Sequence, residues 1–182
     1  MTKVSITAAA LVLAAASIAV PATASETSRS KAASYEPPYK DGPSGGDNWN
    51  HVERDADSGR MAITRVFPGF PPVVGCVPEP SAGWGMFEVA HKLDRPVSKV
   101  TLEYEAAIDA YSWITVGARN EDRKWLGVAK LQGPIAGSGK LAADLFASPS
   151  HGKITLEFGL QLGDACPQIG FAAASFPSVA VR

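Results

Sequence analysis

The chain has 182 residues, with 17 Lys plus Arg against 18 Asp plus Glu and a formal net charge of −1. Near neutrality with both signs interspersed leaves no electrostatic case for nucleic acid or for an anionic membrane surface as partner. Charged residues are only 19% of the chain while glycine and proline number 17 and 14, a mixture that predicts short strands and tight turns and excludes a mainly helical protein.

In chain order, Lys3 precedes an apolar run at residues 8–20, and Ala22-Thr23-Ala24 follows Pro21. That order predicts a secretory signal peptide over residues 1–24, cut after Ala24. The run is shorter than the roughly 20 apolar residues of a spanning helix, and no Cys directly follows it to carry a lipid. The expectation is a secreted, extracellular protein with no membrane anchoring. Residues 25–48 are rich in Ser, Lys, Pro, Gly and Asp with no apolar period, which predicts a disordered tail or linker. Within it, Tyr35 and Tyr39 around Pro37-Pro38 read as a spacer or as a short extended recognition motif.

From residue 49 to 182 the apolar period is two nearly everywhere, which predicts one domain. Residues 49–54 and 61–67 flank Asp55-Ala56-Asp57-Ser58-Gly59-Arg60, a hairpin with Gly59 available for positive φ. Residues 66–80 are proline-rich and predict a loop or an edge crossover. Phe87, Val89, His91 and Leu93 alternate, and Val100, Leu102, Tyr104, Ala106 and Ile108 form the clearest stripe, with Glu103 and Glu105 opposite. Ile114, Val116 and Ala118 continue the stripe. Further strands are predicted at 125–131, 141–145, 154–162, 171–176 and 179–181, the last two separated by a kink at Pro177. About nine short strands with turns every 8–12 residues predict an all-β fold, a single antiparallel β-sandwich of jelly-roll type. The closing run Ala173-Ala174-Ser175-Phe176-Pro177-Ser178-Val179-Ala180-Val181 is similar to the last strand of jelly-roll carbohydrate-binding modules. The resemblance implies architecture only, and no residue is carried over from it.

Cys76 and Cys166, an even pair in an exported chain without CxxC spacing, predict one disulfide. Residues 133–140 (GPIAGSGK) imitate a phosphate loop, but Pro134 and Leu141 stand where the motif needs Gly and Ser or Thr; a flexible inter-strand loop is expected. Asp55-Ala56-Asp57-Ser58-Gly59 lacks the distal Glu of a calcium loop and reads as a turn. His51, His91 and His151 have no metal-site spacing, and His91 falls in an apolar register where a hydrogen-bonded, partly buried ring is expected. No metal and no cofactor is implied.

Glu103 and Glu105 share one strand face about 7 Å apart, a spacing at which carboxylates can hydrolyse glycosides, although an ordinary solvated face looks the same. The aromatics are the stronger signal. If Ile114, Val116 and Ala118 face the core, Tyr111, Trp113, Thr115 and Arg119 face away from it, and large outward aromatics mark contact surfaces. Rings stack on sugars, and Asp109, Arg119, Glu103 and Glu105 could hydrogen-bond hydroxyls; Trp84 and Trp125 belong to the rim or to the core. Trp113 could instead cover an edge of the second sheet. The expected function is a secreted non-catalytic binding module for an extracellular or cell-wall glycan. The alternatives are a small polysaccharide hydrolase or lyase using Glu103 and Glu105, and a protein-interaction or inhibitor domain.

Overall fold

The computed structural model describes residues 32–46, 50–66, 79–164 and 169–182. Eleven strands are described: β1 (Ala33–Tyr35), β2 (Lys40–Gly46), β3 (Asn50–Asp55), β4 (Arg60–Val66), β5 (Glu79–Lys92), β6 (Val97–Ile108), β7 (Ser112–Arg119), β8 (Trp125–Gln132), β9 (Ile135–Ala147), β10 (Lys153–Asp164) and β11 (Ile169–Val181). One sheet runs β3-β4-β11-β6-β9, with β1 also on β11; the other runs β2-β5-β10-β7-β8. All ladders are antiparallel. The molecule is an all-β sandwich, as its period of two requires.

The alternation decides which face each strand buries. Leu102, Ile114, Val116, Leu156, Phe158 and Leu160 have no exposed surface, and Tyr104 and Ile108 are buried beside them. At the centre, Phe87, Phe158 and Phe176 meet with ring centroids 5.6–6.2 Å apart, within the range of favourable tilted and edge-to-face pairs. The β3–β4 turn is closed by Asp55, whose carboxylate accepts from the Asp57 and Ser58 amides and the Ser58 hydroxyl. Gly59 there has φ +68, and a Cβ would collide with the Phe176 carbonyl.

Three sequence expectations are corrected. Residues 33–46 are not a disordered tail: β1 pairs with Tyr35 opposite Val179, and β2 pairs with β5. Tyr39 between them is buried, packs on Phe158 at 4.9 Å and donates to the Phe176 carbonyl at 2.9 Å. One buried aromatic anchors a segment whose composition argued for disorder. Residues 135–140 are not a loop but the first half of β9, paired with β6 from Glu103 to Ile108; a neighbouring strand overrides the weak intrinsic preference of Gly and Ala. The strands are also longer than expected, β5 reaching 14 residues. The kink at Pro177 is a register shift between Ser175 and Ser178 within a single strand, since proline cannot donate to the ladder. Cys76, Cys166 and residues 1–31 lie outside the described residues.

Candidate functional site

The outward residues of the five-stranded sheet fall into rows across the strands. Register places Met86, Gly159, Thr115 and Lys130 side by side, with Glu88, Glu157, Gly117 and Val128 in the next row. Trp84, Gln161, Trp113 and Gln132 form the row on the other side. This face carries a cleft of about 520 Å³ lined by Trp84, Thr115, Arg119, Trp125, Lys130 and Glu157 among others.

Two indoles flank it. The Trp125 ring lies over Gly117, where any Cβ would strike it, and the Arg119 guanidinium stacks on its face at 3.7 Å from the centroid. Trp125 nevertheless remains 38% exposed. The Trp84 ring lies against Gly45 of β2 and is half-buried. Glycine at positions 45 and 117 leaves room for the two indoles, which a Cβ at either position would strike.

Beside the Trp125 ring sits an ion network. Glu157 is 3% exposed; its carboxylate accepts from Arg119 Nε at 2.9 Å and lies 3.5 Å from an Arg123 guanidinium nitrogen. Arg123 also approaches Glu88 at 3.8 Å, and Lys40 approaches Glu88 at 3.5 Å. A buried carboxylate needs this: unpaired, it would carry a large desolvation cost. The β7–β8 turn supplies the geometry. Arg123 has φ +60, a region few side-chain-bearing residues occupy, and its carbonyl accepts from Arg119 at 2.7 Å. Asn120 closes the turn by accepting from the Lys124 amide. Farther along the cleft, Lys130 donates to Gln161 at 3.0 Å. The Thr115 hydroxyl is buried and, among the described residues, has no hydrogen-bond partner.

Of the residues predicted to bind ligand, Arg119 is in the cleft. Trp113 stands on the same face, in one row with Trp84 and Gln161, and its half-buried ring packs on Gly163. The backbone carbonyl of Tyr111 accepts from Gly163. Asp109 serves the β6–β7 turn, accepting from the Tyr111 and Phe171 amides and from the Ser112 hydroxyl.

Glu103 and Glu105 do not join this group, which corrects the expected constellation. They sit on β6, in the other sheet, and the β6–β7 connection crosses the sandwich, so the polar sides of β6 and β7 face opposite solvents. Glu103 is held by Lys140 and Ser178, and these two partners, Lys140 foremost, keep its carboxyl below the usual carboxylate range. Glu105 borders a depression of about 680 Å³ on that outer face, lined by Ala62, Ala107, Ala173 and Gly137. Glu53, Arg54, Asp55, Arg60 and Ser175 add charged and hydroxyl groups to its lining, but among the described residues no aromatic ring borders it. Sequence reading missed Glu157, Glu88, Arg123, Lys130 and Gln161, and it placed Thr115 on the outward face without assigning it to the site. Glu157 was recoverable in part, because Leu156 and Phe158 facing the core turn it outward, but the strand order that sets it beside Arg119 was not.

His91 matches its expectation: its Nδ1 pairs with the Tyr35 hydroxyl at 2.6 Å, and burial lowers its pKa. Among the described residues, no group of three or more His, Cys, Asp or Glu is placed to hold a metal ion.

No protein-family model matches the chain, and no curated protein does. Among solved structures it is similar to the carbohydrate-binding module TmCBM61 in complex with β-1,4-galactotriose, at 9% identity and TM-score 0.42 over 77% of this chain and 86% of that one. A CBM36-1 domain of a multidomain xylanase from the hindgut metagenome of Trinervitermes trinervoides gives 8% identity and TM-score 0.43 over 84% and 97%. The carbohydrate-binding module CBM36 in complex with calcium and xylotriose gives 10% and 0.42 over 82% and 99%.

Proposed function

We propose that the chain is a secreted, non-catalytic module that holds an extracellular or cell-wall glycan on the outer face of its five-stranded sheet. The observation that carries this reading is the cleft itself, lined by two indoles, Trp84 and Trp125, together with Arg119, Arg123, Lys130, Glu157 and Gln161. Sugars present alternating CH faces and hydroxyl edges, and aromatic rings beside charged hydrogen-bonding groups complement both. Two strand spacings of about 4.8 Å and two rows of about 6.8 Å separate the Trp84 position from Gly117, where the Trp125 ring lies, which suits an oligosaccharide better than a single ring. Arg119 belongs to this site, with Trp113 beside it.

The non-catalytic part rests on how the carboxylates are held. Glu88 and Glu157 are direct cross-strand neighbours, yet Lys40, Arg119 and Arg123 engage them. Glu103 is biased toward its ionised form, the opposite of what a proton donor requires. Secretion rests on the leader-like residues 1–24.

A disulfide between Cys76 and Cys166 belongs to the same reading. Glu79 pairs with Asp164, which puts the two cysteines three and two residues from adjoining strand ends. At about 3.5 Å per residue, the Cα separation of about 4.4–6.8 Å that a bridge needs is within reach. Intact mass before and after reduction and alkylation tests it; two alkylatable thiols in the unreduced exported protein would refute the bridge. For the function, a screen of insoluble polysaccharides and arrayed glycans tests the proposal. Retention by at least one glycan, lost in Trp84→Ala and Trp125→Ala, is expected; retention by none would overturn it.

A further inference from the structure

The cleft has more cationic charge than its own carboxylates engage, and the excess is localised. Its lining holds Arg119, Arg123 and Lys130 against the single carboxylate of Glu157. Arg119 and Arg123 are both directed at Glu157. Lys130 is different. Among the described residues it meets no carboxylate, and its ammonium donates to the neutral amide oxygen of Gln161.

That hydrogen bond spans three strands. Lys130 is on β8 opposite Thr115, and Gln161 is on β10 opposite Trp113, with β7 between them. The bridge therefore crosses β7 between Thr115 and Trp113, and Thr115 stands at its foot. Thr115 is 1% exposed, and among the described residues its hydroxyl has no partner. A covered, unsatisfied hydroxyl is costly to a fold, and valine would fill the same space without that cost. Two donors, the Thr115 hydroxyl and the Lys130 ammonium, thus line the floor of the cleft, with the Gln161 amide oxygen accepting from Lys130.

We infer that this spot is a subsite for an anionic oxygen group on the glycan, a ring carboxylate or a sulfate ester. It rests on the glycan reading above and adds the ligand class. An anion entering beside Lys130 replaces the Lys130–Gln161 bond with an ion-paired one, and it frees the Gln161 amide to turn its donor group inward. Thr115 then donates the hydrogen bond it lacks. The neighbouring indoles hold the sugar rings, and the subsite sets the preference for acidic over neutral polymers.

Affinity electrophoresis of the folded protein through gels containing polygalacturonate, dextran sulfate, galactan or xylan tests this. At near-physiological salt, polygalacturonate or dextran sulfate should retard the wild type more than either neutral polymer does. The polymer with the stronger effect identifies the anionic group as carboxylate or sulfate. Lys130→Gln should reduce that retardation about tenfold or more, the scale of one lost hydrogen bond to a charged group. Thr115→Val should weaken it as well while raising the thermal midpoint, two opposite changes that a purely structural threonine would not produce. Equal retardation by acidic and neutral polymers, or an acidic preference untouched by Lys130→Gln, overturns the subsite and leaves glycan binding standing. No retardation by any of the four polymers overturns the subsite; if the wider glycan screen is also empty, the glycan reading falls with it.

Discussion

Single residues divide by how much their charge is covered. Glu157 and Glu105 are both outward-facing carboxylates, yet Glu157 is buried under Arg119 and Arg123 while Glu105 is exposed. Removing one partner of a buried pair strands the other, at about 3–5 kcal/mol. Because Arg119 keeps 26% of its side chain exposed, water recovers part of that loss. Glu157→Ala is therefore expected to cost about 3 kcal/mol in urea unfolding, at the lower end of that range. Glu105→Ala is expected to stay within about 0.5 kcal/mol of wild type. Equal costs would mean that the Arg119–Glu157 pair is no firmer than a surface contact. Thr115 is the counterpart among neutral groups, a position where the native residue is worse for the fold than its apolar isostere.

At the scale of elements, the β1–β2 arm is where composition and structure part. Residues 33–46 contain few apolar side chains, so an average over the segment reads as disorder, and that average hides Tyr39. Burial and the nearby Glu36 carboxylate push the Tyr39 hydroxyl's pKa upward, as expected of a phenol that donates within the core. Tyr39→Ala is expected to cost about 3–5 kcal/mol, the loss of a buried aromatic. A change below about 0.5 kcal/mol would return the arm to the status of a tail. The same contrast explains β9. Its first half has a single β-branched residue, Ile135, followed by Ala, Gly, Ser, Gly and Lys, and it becomes a strand through pairing with β6, which is a long-range fact. By contrast, the core faces of β6, β7 and β10 were fully legible, because strict alternation over 5–9 residues fixes which side is buried whatever the strand order. Strand order is what the sequence withholds. Outward residues could be recognised one strand at a time, but their grouping into a site depends on which strands adjoin. Hence Arg119 was found, Glu157 was missed, and Glu103 and Glu105 were grouped with residues on the opposite face.

For the molecule as a whole, the pH response involves both sheets through the Tyr35–His91 pair, and the proposed ligand capture assigns them different roles. Burial foremost holds the His91 pKa below its ordinary value of 6.5, while an unfolded chain takes up that proton near 6.5. Below that pH the unfolded state binds more protons than the folded one, so stability falls as pH drops from neutrality toward the folded-state value. Asp55 and Glu103, lowered by Ser58 and by Lys140 with Ser178, add losses only at more acid pH, below their ordinary values of 3.8 and 4.5. Unfolding midpoints between pH 7 and 5 should therefore decline, and His91→Gln should flatten that decline; an unchanged slope would place the response elsewhere. The central claim is that the face of the five-stranded sheet, and not that of its partner, captures glycan. The most direct measurement is the dissociation constant for a glycan identified by screening, compared between Trp84→Ala and Trp125→Ala on one face and Glu103→Gln and Glu105→Gln on the other. Each tryptophan change is expected to weaken binding by about 2 kcal/mol, near thirtyfold, and each glutamate change to leave it unaltered. Binding that survives both tryptophan changes and collapses with either glutamate change would contradict the account.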